Sequence, residues 1–159
     1  MRDGVRGKTR ALSLLMVEDD ATIAEVLRGL LEAQGHAVTH AAHGLAALSE
    51  LENACFDAAL LDLDLPGVNG LDLARLIRAR NNKIPLLAVT ARADADAESD
   101  VLAAGMNGFL RKPVTGEMLA EALDASQKQR KEGTQRDQGE KTDSQNVDGD
   151  RSYPALKSE

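Results

Sequence analysis

Leu12-Ser13-Leu14-Leu15-Met16-Val17-Glu18-Asp19-Asp20 decides how the rest of this chain is read. An almost continuous apolar run ends abruptly in three carboxylates. A run this short, without helical spacing, is what a strand buried on both faces looks like. The hydrophobic period then changes. Ile23, Val26, Leu27, Leu30 and Leu31 fall at helical spacing, and Gly35 closes that helix. The alternation continues down the chain. Ala37 to Ala41 reads as a weak strand, followed by a helix from about Leu45 to Glu52. Asp57-Ala58-Ala59-Leu60-Leu61 is another buried strand, Leu71 to Arg80 is helical, and Ile84 to Val89 is a further strand. Asp94 to Ala104 reads as a helix ended by Gly105, and Gly108 to Arg111 as a short strand. Met118, Leu119, Ala122 and Leu123 mark a last amphipathic helix running to about Gln129. Strand then helix, five times over, predicts an α/β fold with a doubly wound parallel sheet covered on both faces. Sites in such sheets form at the carboxyl ends of the strands.

Composition narrows the function classes. The chain has 159 residues, 43% of them apolar, enough for one domain with an ordinary core. Its 19 basic and 26 acidic side chains give −7, which argues against direct nucleic-acid binding. A single cysteine, Cys55, excludes an intramolecular disulfide and a cysteine-based zinc site; it reads as a small buried or half-buried residue. No stretch approaches the roughly 18 apolar residues of a membrane span, and the apolar run after the basic start is too short for a signal peptide. The expected compartment is the cytoplasm. Charge is distributed unevenly: residues 1–10 carry +3, residues 11–130 carry −8 and residues 131–159 carry −2. Residues 1–10 read as a basic linker or disordered N-terminus. Residues 131–159, whose apolar members are only Val147, Tyr153, Ala155 and Leu156, read as a disordered polar tail. The domain is expected at residues 11–130.

The strand ends carry the chemistry. The first ends in Glu18-Asp19-Asp20, the third in Asp62 with Asp64 two residues on, the fourth in Thr90 and the fifth in Lys112-Pro113. If the first, third and fourth strands are neighbours, Glu18, Asp19 and Asp62 converge. Two carboxylates ~4 Å apart repel by roughly 4 kcal/mol at an effective dielectric of about 20, so such a cluster captures protons or binds a cation. Oxygen donors without His or Cys favour a hard ion, and two or three carboxylates suit Mg²⁺. Lys112 and Thr90 add a positive charge and a hydroxyl, the groups an incoming phosphoryl oxygen needs. Each residue alone has an ordinary explanation: Asp20 before Ala21-Thr22 suits a helix N-cap, and a lone Thr or Lys at a strand end is commonly structural. The conjunction, in order and always at a strand end, is what points to a site.

These runs together resemble the receiver (response regulator) domain of two-component signalling, and most of all the receivers of hybrid histidine kinases. The matching segments are Leu14 to Asp20, Leu61-Asp62-Leu63-Asp64-Leu65-Pro66-Gly67, Ala88-Val89-Thr90-Ala91 and Gly105 to Pro113, within about residues 11–127. The resemblance implies a flavodoxin-like (βα)5 fold with strand order 2-1-3-4-5. It implies Asp62 as phosphoacceptor, Asp19 as the main Mg²⁺ ligand, Glu18 as a ligand directly or through water, and the Asp64 backbone carbonyl as another. Thr90 would bind the phosphoryl group and swing inward, Lys112 would pair with a phosphoryl oxygen, and Phe109 would pack into the space vacated. The Lys112–Pro113 peptide is expected to be cis. Implied partners are a histidine kinase or histidine phosphotransfer protein, with a phosphorylation-dependent dimer as a further possibility. The surface of residues 91–125 would switch. Three departures from the commoner pattern stand out: Glu18 replaces a frequent Asp, Phe109 lacks the hydroxyl of a frequent Tyr, and Asp64 adds negative charge beside Asp62.

Two other functions fit parts of the pattern. Asp62-Leu63-Asp64-Leu65 matches the D-x-D motif of haloacid dehalogenase-like phosphatases, with Asp62 as nucleophile and Asp64 as general acid; but that family's further acidic motif follows its lysine, whereas the acidic pair here precedes Asp62. A receiver-like interaction module that is never phosphorylated is the other, and it leaves the filled acceptor, metal and switch positions unexplained. His36, His40 and His43 are read as ordinary surface or packing residues, and Met106 as packing near the last strand. With no core in the tail, the expectation is a stand-alone receiver or the receiver of a hybrid kinase, with a lean to the latter.

Overall fold

The computed structural model describes residues 10–65 and 67–130. The expected N-terminal linker except Arg10, and the expected polar tail, lie outside the described residues, as does Pro66. Five strands form: β1 (Ser13–Val17), β2 (Ala37–Ala41), β3 (Ala58–Asp62), β4 (Leu86–Thr90) and β5 (Gly108–Arg111). Helices α1 (Ala21–Ala33), α2 (Gly44–Asn53), α3 (Gly70–Ala79) and α4 (Ala97–Ala103) alternate with them. A last helix, α5, covers residues 116–130. All strand pairs are parallel, in the order β2-β1-β3-β4-β5. This is the flavodoxin-like (βα)5 sheet implied by the resemblance.

Side-chain alternation along the strands splits the core into two layers. Leu15, Val17, Ala59, Leu61, Leu86 and Ala88 face one way and pack with Leu48 of α2, Leu73 and Ile77 of α3 and Val101 of α4. Leu14, Met16, Ala58, Leu60, Leu87 and Val89 face the other way, against Ala24, Leu27 and Leu31 of α1 and Leu119 and Leu123 of α5. Both faces are covered, so the central strands need apolar residues at every position but the ends. β3 and β4 are buried throughout.

Local chemistry sets the element ends. Asp20 is the N-cap of α1, its carboxylate accepting from Thr22 N–H at 2.9 Å and Ile23 N–H at 3.0 Å. Of the three carboxylates after β1, this one has the ordinary role. Gly35, at φ +97°, lets the chain leave α1 while His36 N–H reaches back to Leu31. Several element starts shift; β4, for one, begins at Leu86 rather than Ile84. β3 starts at Ala58 rather than Asp57, because the Asp57 carboxylate accepts from Ser13 N–H at 2.8 Å. α4 starts at Ala97 rather than Asp94, because Asp94 is bonded back to Arg92 at 2.9 and 2.7 Å and the chain turns before the helix begins. Cys55 is a correction: it is exposed, and the buried place in that connection goes to Phe56. Extended chain alternates its faces, and Phe covers far more apolar area than Cys. Met106 is buried in the core, as expected.

Candidate functional site

The strand register brings the expected residues to one end of the sheet. Val17 lies beside Leu61, Asp62 beside Val89, and Thr90 beside Arg111. Glu18 and Asp19 therefore leave β1 next to the last residue of β3. Thr90 closes β4, and Lys112 follows β5, its N–H donating to the Thr90 carbonyl at 2.8 Å. The chain goes from β1 to β2 on one side and then to β3 on the other, so a crevice opens between β1 and β3 at this end.

Glu18, Asp19 and Asp62 each offer a carboxylate oxygen within 4.8 Å of the others. Glu18 and Asp62 are buried and Asp19 is exposed. Lys112 Nζ lies 3.5 Å from Asp62 Oδ1 and 3.6 Å from Glu18 Oε1, one ammonium between two carboxylates. Asp62 Oδ1 also accepts from the Asp64 backbone N–H at 3.0 Å. Glu18 Oε2 accepts from Asp20 N–H at 3.2 Å, whereas Glu18 Oε1 is buried without a hydrogen-bond partner. The Glu18 carboxyl is pushed up to about 7, first by burial and then by the Asp62 carboxylate beside it; Lys112 and the Asp20 amide pull the other way. Thr90 is fully buried, and its Oγ accepts from Arg92 N–H at 3.1 Å. Phe109 is half-buried against the α2–α3–α4 layer. The Lys112–Pro113 peptide is cis, as expected.

The donor set suits a hard divalent cation. All three groups are oxygen ligands, and Glu18 Oε1, buried without a hydrogen bond and 3.6 Å from the Lys112 ammonium, is an acceptor that a cation would satisfy. The net charge of three carboxylates beside one lysine leaves room for it.

Three contributors were not picked out from sequence. His40 Nε2 lies 2.7 Å from the Glu18 carbonyl oxygen and donates to it, holding the peptide that joins the acidic pair. The only signal was a histidine on the strand next to β1. Gly70 opens α3 where a Cβ would stand 2.5 Å from the Asp62 carbonyl oxygen and 2.7 Å from Leu63 Cα, so only glycine lets α3 sit this close to the end of β3. Its signal was a glycine at a helix start. Arg92 touches Thr90 through its backbone, and nothing local marked it. The remaining histidines are structural: His36 Nδ1 accepts from Leu12 N–H at 3.0 Å, and His43 caps α2.

Comparison with known proteins returns one family. Residues 14–124 match the response regulator receiver domain. The sensor histidine kinase AruS of Pseudomonas aeruginosa is 42% identical over 117 residues, covering 71% of this chain and 12% of AruS. The chemotaxis protein CheY of the same organism is 35% identical over 116 residues, covering 71% of this chain and 94% of CheY. The chain thus spans about an eighth of one relative and nearly all of the other. Among solved structures, the receiver domain of sensor histidine kinase PA1611 from Pseudomonas aeruginosa, with a magnesium ion coordinated in its active-site cleft, superposes with a TM-score of 0.67 at 34% identity. That match covers 73% of this chain and 97% of the PA1611 domain.

Proposed function

This chain belongs to the response regulator receiver domain family, and from that premise we propose that Asp62 accepts a phosphoryl group from a partner's phosphohistidine, with Mg²⁺ held by Glu18, Asp19 and Asp62. The partner is a histidine kinase or histidine phosphotransfer protein. The observation that carries the assignment is Asp62 itself: a buried carboxylate at a strand end, 3.5 Å from Lys112 Nζ and inside a three-carboxylate cluster.

An Asp62 carboxylate oxygen attacks phosphorus, the P–N bond to the imidazole breaks, and the imidazole leaves with the bond's electron pair. Lys112 then pairs with a phosphoryl oxygen, relieving the charge that builds beside Glu18 and Asp62. When bound, Mg²⁺ supplies a hard Lewis acid that neutralises charge on the transferring group. The Asp64 backbone carbonyl would add a further oxygen ligand. Thr90 donates its hydroxyl to the phosphoryl group, Phe109 packs into the volume it leaves, and the surface of residues 91–125 shifts population. Hydrolysis of the acyl phosphate within the same site resets the domain.

The similarity to the sensor histidine kinase AruS supports placement in a hybrid kinase or phosphorelay, and residues 11–130 are taken as the receiver. Among the described residues no helix is long and apolar enough to cross a membrane. The haloacid dehalogenase-like alternative is not favoured, since the whole span of residues 14–124 matches the receiver family.

Mass spectrometry after incubation with Mg²⁺ and acetyl phosphate tests the assignment. One acid-stable, base-labile phosphoryl group is expected on the wild type and none on Asp62→Ala. An unmodified wild type, or a modified variant, overturns it.

A further inference from the structure

Arg92 makes two kinds of contact that meet at Thr90. Its backbone N–H donates to Thr90 Oγ at 3.1 Å. Its guanidinium holds Asp94 in a fork, Nε to Oδ1 at 2.9 Å and Nη2 to Oδ2 at 2.7 Å, and reaches Asp100 Oδ2 on α4 at 3.0 Å. The Asp94 carboxyl is held down to about 2 by these hydrogen bonds. Thr90 is fully buried, so the Arg92 amide meets its hydroxyl away from bulk solvent. The inward swing of Thr90 toward a phosphoryl group on Asp62, as proposed above, either draws its Oγ away from the Arg92 amide or carries the 90–92 backbone along. That backbone is fastened through Arg92 to the loop at Asp94 and to α4 at Asp100.

We propose that Arg92 is a positioning residue for Thr90: its ion pairs with Asp94 and Asp100 latch the β4–α4 connection in the arrangement that keeps the Thr90 hydroxyl on the Arg92 amide. The latch opposes engagement of the phosphoryl group and sets how much of the population is switched before and after transfer. This rests on the reading of Asp62 and Thr90 given above. The side chains involved are partly open to solvent, so each pair contributes modestly and is weakened by salt. A modest bias is what a reversible switch requires, because a deep trap would leave the phosphoryl group unable to shift it.

The test uses the full chain and beryllofluoride, a mimic of the phosphoryl group, titrated in the presence of Mg²⁺. Wild type, R92Q, D100N, the double variant and D62N are compared, with thermal unfolding of each confirming a folded chain. R92Q and D100N are each expected to bind about two- to fivefold more tightly than wild type, the effect of losing an exposed ion pair. The double variant gains little beyond either single one, since both remove one latch. Raising NaCl from about 0.05 to about 0.5 M narrows the gap between wild type and D100N. Weaker binding by R92Q overturns the proposal and makes Arg92 a phosphoryl ligand. Unchanged affinities in R92Q and D100N overturn it as well. If wild type does not bind, or D62N binds equally, the phosphoacceptor reading fails and the latch falls with it.

Discussion

Glu18 is 2% exposed and shares Lys112 with Asp62, so it is charged only at a cost. Its carboxyl, raised from 4.5 to about 7, favours the protonated form in the folded chain without metal. The corresponding stability is full below about 4.5 and is lost as pH rises to about 7. Glu18→Gln, which mimics the neutral form, should therefore equal wild type near pH 4 and exceed it above pH 7 by on the order of 1–2 kcal/mol, allowing for solvent in the crevice. Metal-free denaturant titrations across that range check this; a constant offset would show that Glu18 does not titrate there. His40 acts at the same scale on the backbone between Glu18 and Asp19. Replacing it by Phe should weaken Mg²⁺ binding about three- to tenfold, and His40→Gln, which keeps an N–H donor, should recover part of that loss. Calorimetric titration with Mg²⁺ separates the two variants. The meeting of Glu18 with Asp62 was expected from the strand ends, but the contact of His40 with the Glu18 carbonyl was not: a histidine within a strand looks the same in sequence whether or not it makes one.

At the scale of elements, Gly70 fixes how closely α3 approaches the end of β3. A Cβ there would stand 2.5 Å from the Asp62 carbonyl oxygen, and backbone has no rotamer by which to yield. Gly70→Ala should cost roughly 2–4 kcal/mol, the range of overpacking and strain at a tight backbone contact, and should also slow acetyl phosphate modification of Asp62. Denaturant unfolding and the mass spectrometric assay report the two effects. His36 ties the start of β1 to the turn after α1, accepting from Leu12 N–H, and burial holds its imidazole below the usual 6.5. Folding thus favours the neutral ring: the stability it contributes is full above 6.5 and is lost as pH falls through the folded value. His36→Gln should flatten that acid-side slope, opposite in sign to the Glu18 slope, as unfolding titrations between about pH 5 and 7 would show. Strand and helix periods were plain in the sequence because they depend on neighbours two to four residues away. The ends were less so: Asp94 was read into α4, but its carboxylate is engaged by Arg92 before the helix starts.

For the whole molecule, the sheet is a platform with two apolar layers, and the two carboxyl side chains buried among the described residues, Glu18 and Asp62, lie at the crevice between β1 and β3. A cation bound there joins the carboxyl ends of two strands, which the unfolded chain cannot do. Mg²⁺ at a hundredfold excess over its Kd should therefore stabilise the fold by about 2.7 kcal/mol, raising Tm by several degrees, and chelation with EDTA should return Tm to its starting value. Scanning calorimetry with and without Mg²⁺ measures it, and Asp62→Asn should lose most of the increment.

The order of the elements, the two-sided burial of the sheet and the placing of Glu18, Asp19, Asp62, Thr90 and Lys112 at strand ends were all determined by the sequence alone. Each follows from local periodicity and from position relative to a strand, and these survive without knowledge of any distant contact. Tertiary structure alone decided that Asp20 caps a helix while Glu18 Oε1 is buried without a hydrogen bond, and that Lys112 stands between Glu18 and Asp62. It also decided that His40 holds the acidic pair and that Arg92 fastens the segment after Thr90 to α4. The physical reason is common to these cases. A side chain's charge state, burial and hydrogen bonds are set by groups that parallel pairing brings alongside from tens of residues away, and no local pattern encodes them.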